Sequence, residues 1–324
     1  MTIGPSPCED VALSVDVVVP TFNGWELTRG CLESLRRQTL AHAVVVADNA
    51  STDGTPDRVR ESFPEAGVIE LTTNQGFAVA CNCGARAGAG DVVVLLNNDV
   101  ECPPDFLARI VAPLAAADRL GSVAAVLVRP DGGEIDSAGL TADRTFAGFP
   151  RLRGFSPEDA SASAPVLSGP AGAAAAYRRA AWDEVGGLDE GVFMYGEDID
   201  LAFRLRAAGW GTTLAADAVA VHVGSASIHH RSSWQRYHGG FARGYFLRRY
   251  GVLRSVAAVR ALATETIVVA GDAVLSRDLA ATRGRVAGWR AAARLPRATP
   301  PSDAVDREIS FGDSLRLRRR IYAT

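Results

Sequence analysis

The feature that most constrains this chain is a series of short apolar runs, each closed by a polar cluster and followed by a segment of helical spacing. Residues 15–20 (VDVVVP), 43–47 (AVVVA), 68–71 and 91–96 (DVVVLL) are rich in β-branched residues and too short for buried helices. That is the pattern of strands buried on both faces. Between them, residues 24–37 place Leu27, Cys31, Leu32 and Leu35 on one stripe. Residues 57–63 follow Thr55 and Pro56, a helix-start pair. Residues 77–87 and 106–116 also read as helices, and residues 122–128 as a fifth strand. Strands alternating with helices predict an α/β fold, a mostly parallel sheet flanked by helices.

In such a sheet, ligands bind beyond the carboxyl ends of the strands. Strand one runs into Pro20-Thr21-Phe22-Asn23-Gly24, strand two into Asp48-Asn49-Ala50-Ser51-Thr52-Asp53-Gly54, strand three into Thr73-Asn74-Gln75-Gly76-Phe77, and strand four into Asn97-Asn98-Asp99. Taken singly, each cluster is an ordinary cap or turn. Four at successive strand ends point to a site. A dinucleotide fingerprint does not fit, because Gly88-Ala89-Gly90 precedes a strand instead of following one. No P-loop is present, and the chain has no lysine to serve one.

The pattern weakens over residues 130–165 and returns with a strand at 173–177, a helix at 179–185, a helix from 197 to about 208, and closing strands at 212–215 and 219–222. After residue 226 the chain reads as helices alone, over 232–250, 254–271 and 278–294. A break at Pro296, Pro300 and Pro301 and a basic tail at 316–320 follow. The expected division is a catalytic domain over 1–225, with halves at 14–128 and 129–225, and a helical extension over 226–324. Charge divides in the same place. Residues 1–225 hold 16 arginines against 30 acidic residues, and residues 226–324 hold 18 against 7. A balance of -14 against +11 predicts that the extension meets something anionic: a membrane surface, a polyprenyl-diphosphate acceptor, the acidic half of its own chain, or a second subunit. Five scattered cysteines without paired spacing read as reduced thiols. No leader and no spanning segment is expected, which predicts a cytoplasmic protein, peripheral at the inner membrane face.

The stretches VVVPTFNGWELTRGCLESLRRQT, DNASTDGT, NQGFAVACNCGARAG, VVLLNNDV and GGLDEGVFMYGEDIDLAFRLRAAGW follow one another in this order. Together, over residues 14–250, they resemble glycosyltransferase family 2, in particular its rhamnosyltransferase-like and galactofuranosyltransferase-like branches. The resemblance implies a GT-A fold, with a nucleotide-binding half followed by an acceptor-binding half, and an inverting transfer from a UDP- or dTDP-sugar. The acceptor it implies is a carbohydrate or lipid-linked hydroxyl, with no nucleic-acid partner. Residue by residue, Asp48 resembles the aspartate that meets the donor's pyrimidine ring. Pro20, Thr21 and Asn23 resemble the loop around base and ribose, and Asn74, Gly76 and Phe77 the segment that closes over the nucleotide. Asn97-Asn98-Asp99 stands where the family carries its metal-binding aspartates, but only Asp99 is an anionic ligand here. Asn98 is then assigned to ribose or to a phosphate-bound water. The NND form makes dTDP-rhamnose the first choice of donor.

A diphosphate leaving group gathers negative charge, and Mg²⁺ or Mn²⁺ with oxygen ligands offsets it. His222, at a strand end, matches a family histidine that completes the metal shell; the plain alternative is a structural histidine. Glu197 and Asp198 enter a helix, where capping alone would explain acidic residues. The helix start is also expected to keep Asp198 ionised, and the resemblance makes it the base that takes the acceptor's proton, with Glu197 orienting the acceptor or the loop. Trp182 is a candidate for the acceptor cleft or a packed aromatic. The tract 168–173, with Gly172, lets substrate approach the backbone closely. Two other readings compete. A non-turnover nucleotide-sugar-binding domain is opposed by intact Asp99 and Asp198. A sugar-phosphate nucleotidyltransferase needs a glycine-rich loop and a basic residue after strand one, where only the distant Arg29 is on offer.

Overall fold

The structure, a computed structural model, describes residues 13–130, 133–158, 165–224 and 232–321. Strands β1 (Val15–Thr21), β2 (Ala43–Asp48), β3 (Gly67–Glu70) and β4 (Val92–Leu96) pair in the order β3-β2-β1-β4, all parallel. Every residue of β1 and β4 is buried, as their unbroken apolar runs require. Helices α1 (Trp25–Arg36) and α4 (Phe106–Ala116) cover one face, with Cys31, Leu32, Leu35, Ile110 and Leu114 packed against alternate residues Val15, Val17 and Val19. Helix α3 (Phe77–Ala87) covers the other, against Val18, Val93 and Leu95. Helix α2 (Thr55–Ser62) lies between β2 and β3 in sequence.

The second half departs from a purely parallel sheet. Strand β10 (Ala174–Arg178) is wedged antiparallel between β4 and β6 (Leu120–Val128). Its run AAAYR is buried like its neighbours, and a strand covered on both faces carries no trace of its direction in the sequence. The two closing strands expected at 212–215 and 219–222 are one strand, β11 (Gly211–His222), parallel to β6 and irregular between Leu214 and Val219. That break in register divided the pattern in two. The sheet ends in short antiparallel pieces: β5 (Val100–Glu101) pairs His222 with Val100, and β7 (Ile135–Ser137) pairs Ile135 with Val128. A hairpin of β8 (Leu140–Ala142) and β9 (Gly148–Pro150) forms a second sheet. Helices α5 (Arg179–Val185) and α6 (Glu197–Ala207) follow β10.

The C-terminal helices are α7 (Ser233–Arg249), α8 (Ala258–Ser276), α9 (Ala280–Ala291) and α10 (Phe311–Ile321). They share a core with residues 129–225, in which Leu140, Ile199 and Phe203 meet Tyr245, Phe246, Tyr250 and Ala304. The basic tail expected at 316–320 is instead part of helix α10. Arg318 there is buried and lies 3.8 Å from Asp143 and 3.5 Å from Glu265. His229 and His230 lie outside the described residues.

Candidate active site

The polar loops at the ends of β1, β2 and β3 are laced into one rim. The Asn23 backbone N–H donates to Ser51 Oγ at 2.7 Å, and the Asn23 side chain accepts from Thr52 N–H at 2.8 Å. Gly24 N–H donates to Asp53 at 2.9 Å. Both oxygens of Asp48, at the buried end of β2, accept from Ser51, one from its N–H at 2.8 Å and one from its hydroxyl. Asn49 ties this rim to the third loop, donating to Gly76 C=O at 3.0 Å and accepting from Gln75 N–H at 2.8 Å. Asn74 accepts from Gly76 N–H at 3.1 Å. Pro20 and Thr21 end β1, and the Asn98 amide donates to Thr21 at 3.2 Å and to Thr28 at 3.0 Å. Asn98 thus holds the fourth loop to the first. Left-handed backbone at Asn23 and Ala50, non-glycine residues, marks the tightness of the two turns.

Gly76 is where the two halves touch. Its φ is 92°, and a Cβ there would lie 2.2 Å from the Phe193 carbonyl, which accepts a hydrogen bond from Phe77 N–H at 2.9 Å. This contact delivers the Phe77 ring to the edge of a cleft of about 750 Å³. The cleft is lined by Phe77, Asn97, Arg129, Asp136, Arg153, Gly172, Met194, Tyr195, Glu197, Asp198 and His222. Gly172 has no side chain to stand between Phe77 and Asp198: a Cβ would meet the Phe77 ring at 3.3 Å and Asp198 Cβ at 3.6 Å. Gly172 N–H donates to Asp198 at 3.1 Å, and Ile199 N–H donates to its other oxygen at 2.8 Å.

The helix start holds Asp198 as expected, but it does not keep the carboxyl at its ordinary acidity. Burial raises it, and the backbone donors of Gly172 and Ile199 offset that only in part. Its neighbour Glu197 is buried, with one carboxylate oxygen lacking a hydrogen-bond partner. Burial first, and then the charge of Asp198, push Glu197 up to about 8. Two adjacent carboxyls therefore differ in state near neutral pH, Glu197 mostly protonated and Asp198 the readier to ionise. The preceding turn carries Tyr195 at φ 73° and Gly196 at φ 89°. A Cβ on Gly196 would strike Phe246 of α7 at 2.4 Å, so α7 seats this turn.

Across the cleft, Asp99 and His222 meet because β5 and β11 pair there. His222 Nε2 lies 3.3 Å from Asp99 Oδ1, a buried oxygen without a hydrogen-bond partner. Asp99 and His222 are two potential metal ligands side by side, and no third His, Cys, Asp or Glu completes a group with them among the described residues. The other ring nitrogen, Nδ1, is 2.8 Å from Asp136, which also receives Arg153 at 2.7 Å. Burial alone would lower His222, but Asp136 and Asp99 outweigh it and raise it to about 9. Asp136 and Arg153 were not anticipated from the sequence. They fall in the stretch where periodicity fails, and β7 brings Asp136 to the site by pairing with β6.

Trp182 is corrected. It is not at the cleft but 4% exposed in the core, its ring 5.2 Å from that of Tyr177 in an edge-on contact. An indole beside a tyrosine on a strand facing a helix is a packing pair.

The sequence model of glycosyl transferase family 2 matches residues 16–186. The chain is 30% identical over 213 residues to the N-acetylglucosaminyl-diphospho-decaprenol L-rhamnosyltransferase of Mycobacterium tuberculosis, covering 59% of this chain and 67% of that one. It is 29% identical over 232 residues to an O-antigen biosynthesis protein of Myxococcus xanthus, covering 66% of this chain and 17% of that one. Among solved structures it is similar in fold to a mannosyltransferase of Pyrobaculum calidifontis in complex with GDP-Man and Mn²⁺. There the TM-score is 0.54 and the identity 23%, over 90% of this chain and 88% of that one. With the α/β sheet, its strand-end rim and the acidic helix start now placed, the family match over more than half the chain leads to one conclusion: this protein belongs to glycosyl transferase family 2 and is a glycosyltransferase of GT-A fold.

Proposed function

We propose that the protein transfers a deoxyhexose, with L-rhamnose from dTDP-rhamnose as first choice, to a hydroxyl of a lipid-linked saccharide, with inversion at the anomeric carbon. The observation that carries this reading is that Asp198 lines the same cleft as His222, with Asp99 behind it. Asp198 takes the acceptor's proton as the acceptor oxygen bonds to the sugar carbon. The bond to the diphosphate breaks on the opposite face, and its electron pair leaves on the phosphate oxygen. Asp99 and His222 are the residues that would hold Mg²⁺ or Mn²⁺, and the ion when bound offsets the charge on the departing diphosphate. Asp136 fixes the orientation of the His222 ring through Nδ1, as carboxylates do behind metal-bound histidines. Arg129 and Arg153, on the same wall, supply positive charge toward the diphosphate. The rim of Pro20, Thr21, Asn23, Asp48 and Asn74 receives the nucleoside, and Phe77 with Gly172 borders the sugar.

The donor follows from the NND sequence and from the similarity to the mycobacterial rhamnosyltransferase; the acceptor class follows from the name of that relative. The test is a panel of nucleotide sugars screened for protection against thermal unfolding, with Mg²⁺ or Mn²⁺ present. A donor at 100 times its Kd stabilises by about 2.7 kcal/mol. Transfer from the protecting donor to a polyprenyl-diphosphate-linked N-acetylglucosamine should follow. Protection by a donor without transfer to any saccharide acceptor would favour a binding domain instead.

A further inference from the structure

Helix α8 is apolar along most of its length and turns large apolar side chains outward. Of its nineteen residues only Ala261, Thr264 and Glu265 are buried, two of them polar. Its outward stripe is apolar: Val259 is 81% exposed, Val274 76% and Leu275 79%, with Leu262 and Ile267 between them and Val256 and Leu279 beyond the two ends. Val259, Leu262, Ile267 and Val274 share the face opposite Ala261, Thr264 and Glu265, and Leu275 lies to one side of it. Exposed large apolar residues occur singly on most proteins, but five on one helix, four of them on one face, mark a surface that meets something apolar. Beside it opens a groove of about 570 Å³ lined by Ile267, Val268, Leu275 and Leu315, with Arg285 and Arg319 at its edge.

The charge around the stripe has one sign. Residues 250–298 hold eight arginines against three acids, Glu265, Asp272 and Asp278. Glu265 is taken internally by Arg243, Arg285 and Arg318, and Asp272 and Asp278 both face Arg236. At the surface near the stripe stand Arg254, Arg277 and Arg283, all exposed, with Asp278 beside Arg283. A second copy docking face to face would set an excess of arginine against its own counterpart, since the three arginines outnumber Asp278. No helix among the described residues is long and apolar enough to cross a membrane.

We infer that α8 lies in the plane of an anionic bilayer, with its apolar stripe among the acyl chains and Arg254, Arg277 and Arg283 at the headgroups. This rests on the surface of the helix and holds whatever sugar the active site transfers. The experiment is flotation of the full chain with vesicles of phosphatidylcholine, with and without phosphatidylglycerol. Binding to the anionic vesicles is expected, and it should weaken as salt rises. The combined variant Val259→Gln, Leu262→Gln, Val274→Gln and Leu275→Gln changes exposed side chains only, and its melting temperature and circular dichroism confirm that it folds. It should lose at least about ten-fold in partitioning with its charge unaltered. Separately, the Val274→Trp variant should show blue-shifted emission quenched by bromine-labelled lipid. Flotation that the apolar variant leaves unchanged, or emission that lipid does not shift, would overturn insertion. A protein that ignores vesicles but sediments as a dimer, and returns to monomer in the apolar variant, would assign the face to self-association and overturn the proposal equally.

Discussion

Glu197 and Asp198 are neighbours in sequence with different surroundings. Asp198 lies against Gly172 in the cleft, and Glu197 is buried, raised to about 8 and without a partner on one oxygen. Asp198→Asn is expected to cut turnover roughly 10²–10⁴-fold while donor protection against unfolding survives. Glu197→Gln keeps the shape of a carboxyl that is already mostly protonated near neutral pH, so its turnover should stay within a few-fold of the parent; a collapse equal to that of Asp198→Asn would transfer the base to Glu197. The same variant carries a stability signature. A carboxyl whose folded pKa is raised from 4.5 to about 8 loses stability as pH climbs between those values, because the unfolded chain ionises first. The melting temperature of Glu197→Gln relative to the parent should therefore rise from about pH 4.5 to about pH 8 and level off above. Asp136→Asn, which removes the carboxylate behind His222, should weaken the metal requirement's half-saturation by roughly 10–100-fold, read by titrating Mn²⁺ into EDTA-treated protein. An unchanged half-saturation would leave Asp136 as a structural partner of His222 and Arg153 with no influence on the metal. Asp99 and His222 stood out in the sequence because each closes an apolar run, and Glu197 and Asp198 because they open a helix in a stretch that resembles the family's. Asp136 did not, since its three-residue strand is defined only by a partner, and Trp182 misled because an aromatic near a motif looks the same whether it packs or lines a cleft.

At the scale of elements, α7 and α9 show what periodicity cannot report. Gly240 and Gly244 on α7 face Gly284 and Gly288 on α9, each pair four residues apart. A Cβ would lie 2.3 Å from Ala281 C=O at Gly240, 2.0 Å from Arg285 C=O at Gly244, 2.0 Å from Tyr237 C=O at Gly284 and 1.9 Å from Phe241 C=O at Gly288. The two backbones are in contact, so no side chain fits between them. Both helices were readable as helices from spacing, yet glycines inside helices read as weak helix formers until a partner is known. Gly288→Ala should force the helices apart and lower stability by about 1–3 kcal/mol or more, measured by urea denaturation. A neutral result would mean that α9 slides freely against α7. Gly239, adjacent in sequence, has nothing within reach of a Cβ, and Gly239→Ala is the control, expected to hold or raise stability. The strands show the same division. The parallel set β3-β2-β1-β4 was legible because each run is apolar throughout and ends in a turn. The direction of β10 was not, because burial on both faces erases the alternation that would reveal it.

The whole molecule is tied by a charge cluster that joins its last helices to the hairpin region of the acceptor half. Glu265 of α8 meets Arg243 of α7 at 2.6 Å, Arg285 of α9 at 2.8 Å and Arg318 of α10 at 3.5 Å. Arg243 also donates to Thr145, and Ser314 of α10 donates to the fully buried Asp143 at 2.6 Å. The imbalance of arginine seen in the sequence is thus resolved partly inside: the most buried of these arginines neutralise two buried carboxylates. Spacing gave no hint of it, because residues 143, 243, 265, 285 and 318 lie on five separate segments. Burial alone would raise Glu265, but the three arginines outweigh it and hold the carboxyl down to about 2. The sign follows from the lowered value. The unfolded chain takes up this proton near pH 4.5, whereas the folded protein resists it until about pH 2. The stabilisation is therefore complete above about pH 4.5 and is lost as pH falls toward 2. It amounts to about 3 kcal/mol for a shift of this size. Glu265→Gln removes that dependence and leaves three guanidinium groups facing one another, so it should be less stable than the parent at neutral pH, and the gap should close as pH falls from about 4.5. Denaturation by urea at a series of pH values reads both quantities directly. A gap that stays constant down to pH 2.5 would show that the arginines are satisfied without Glu265, and that packing around Tyr245, Phe246 and Tyr250, not charge, fastens the C-terminal helices to the catalytic half.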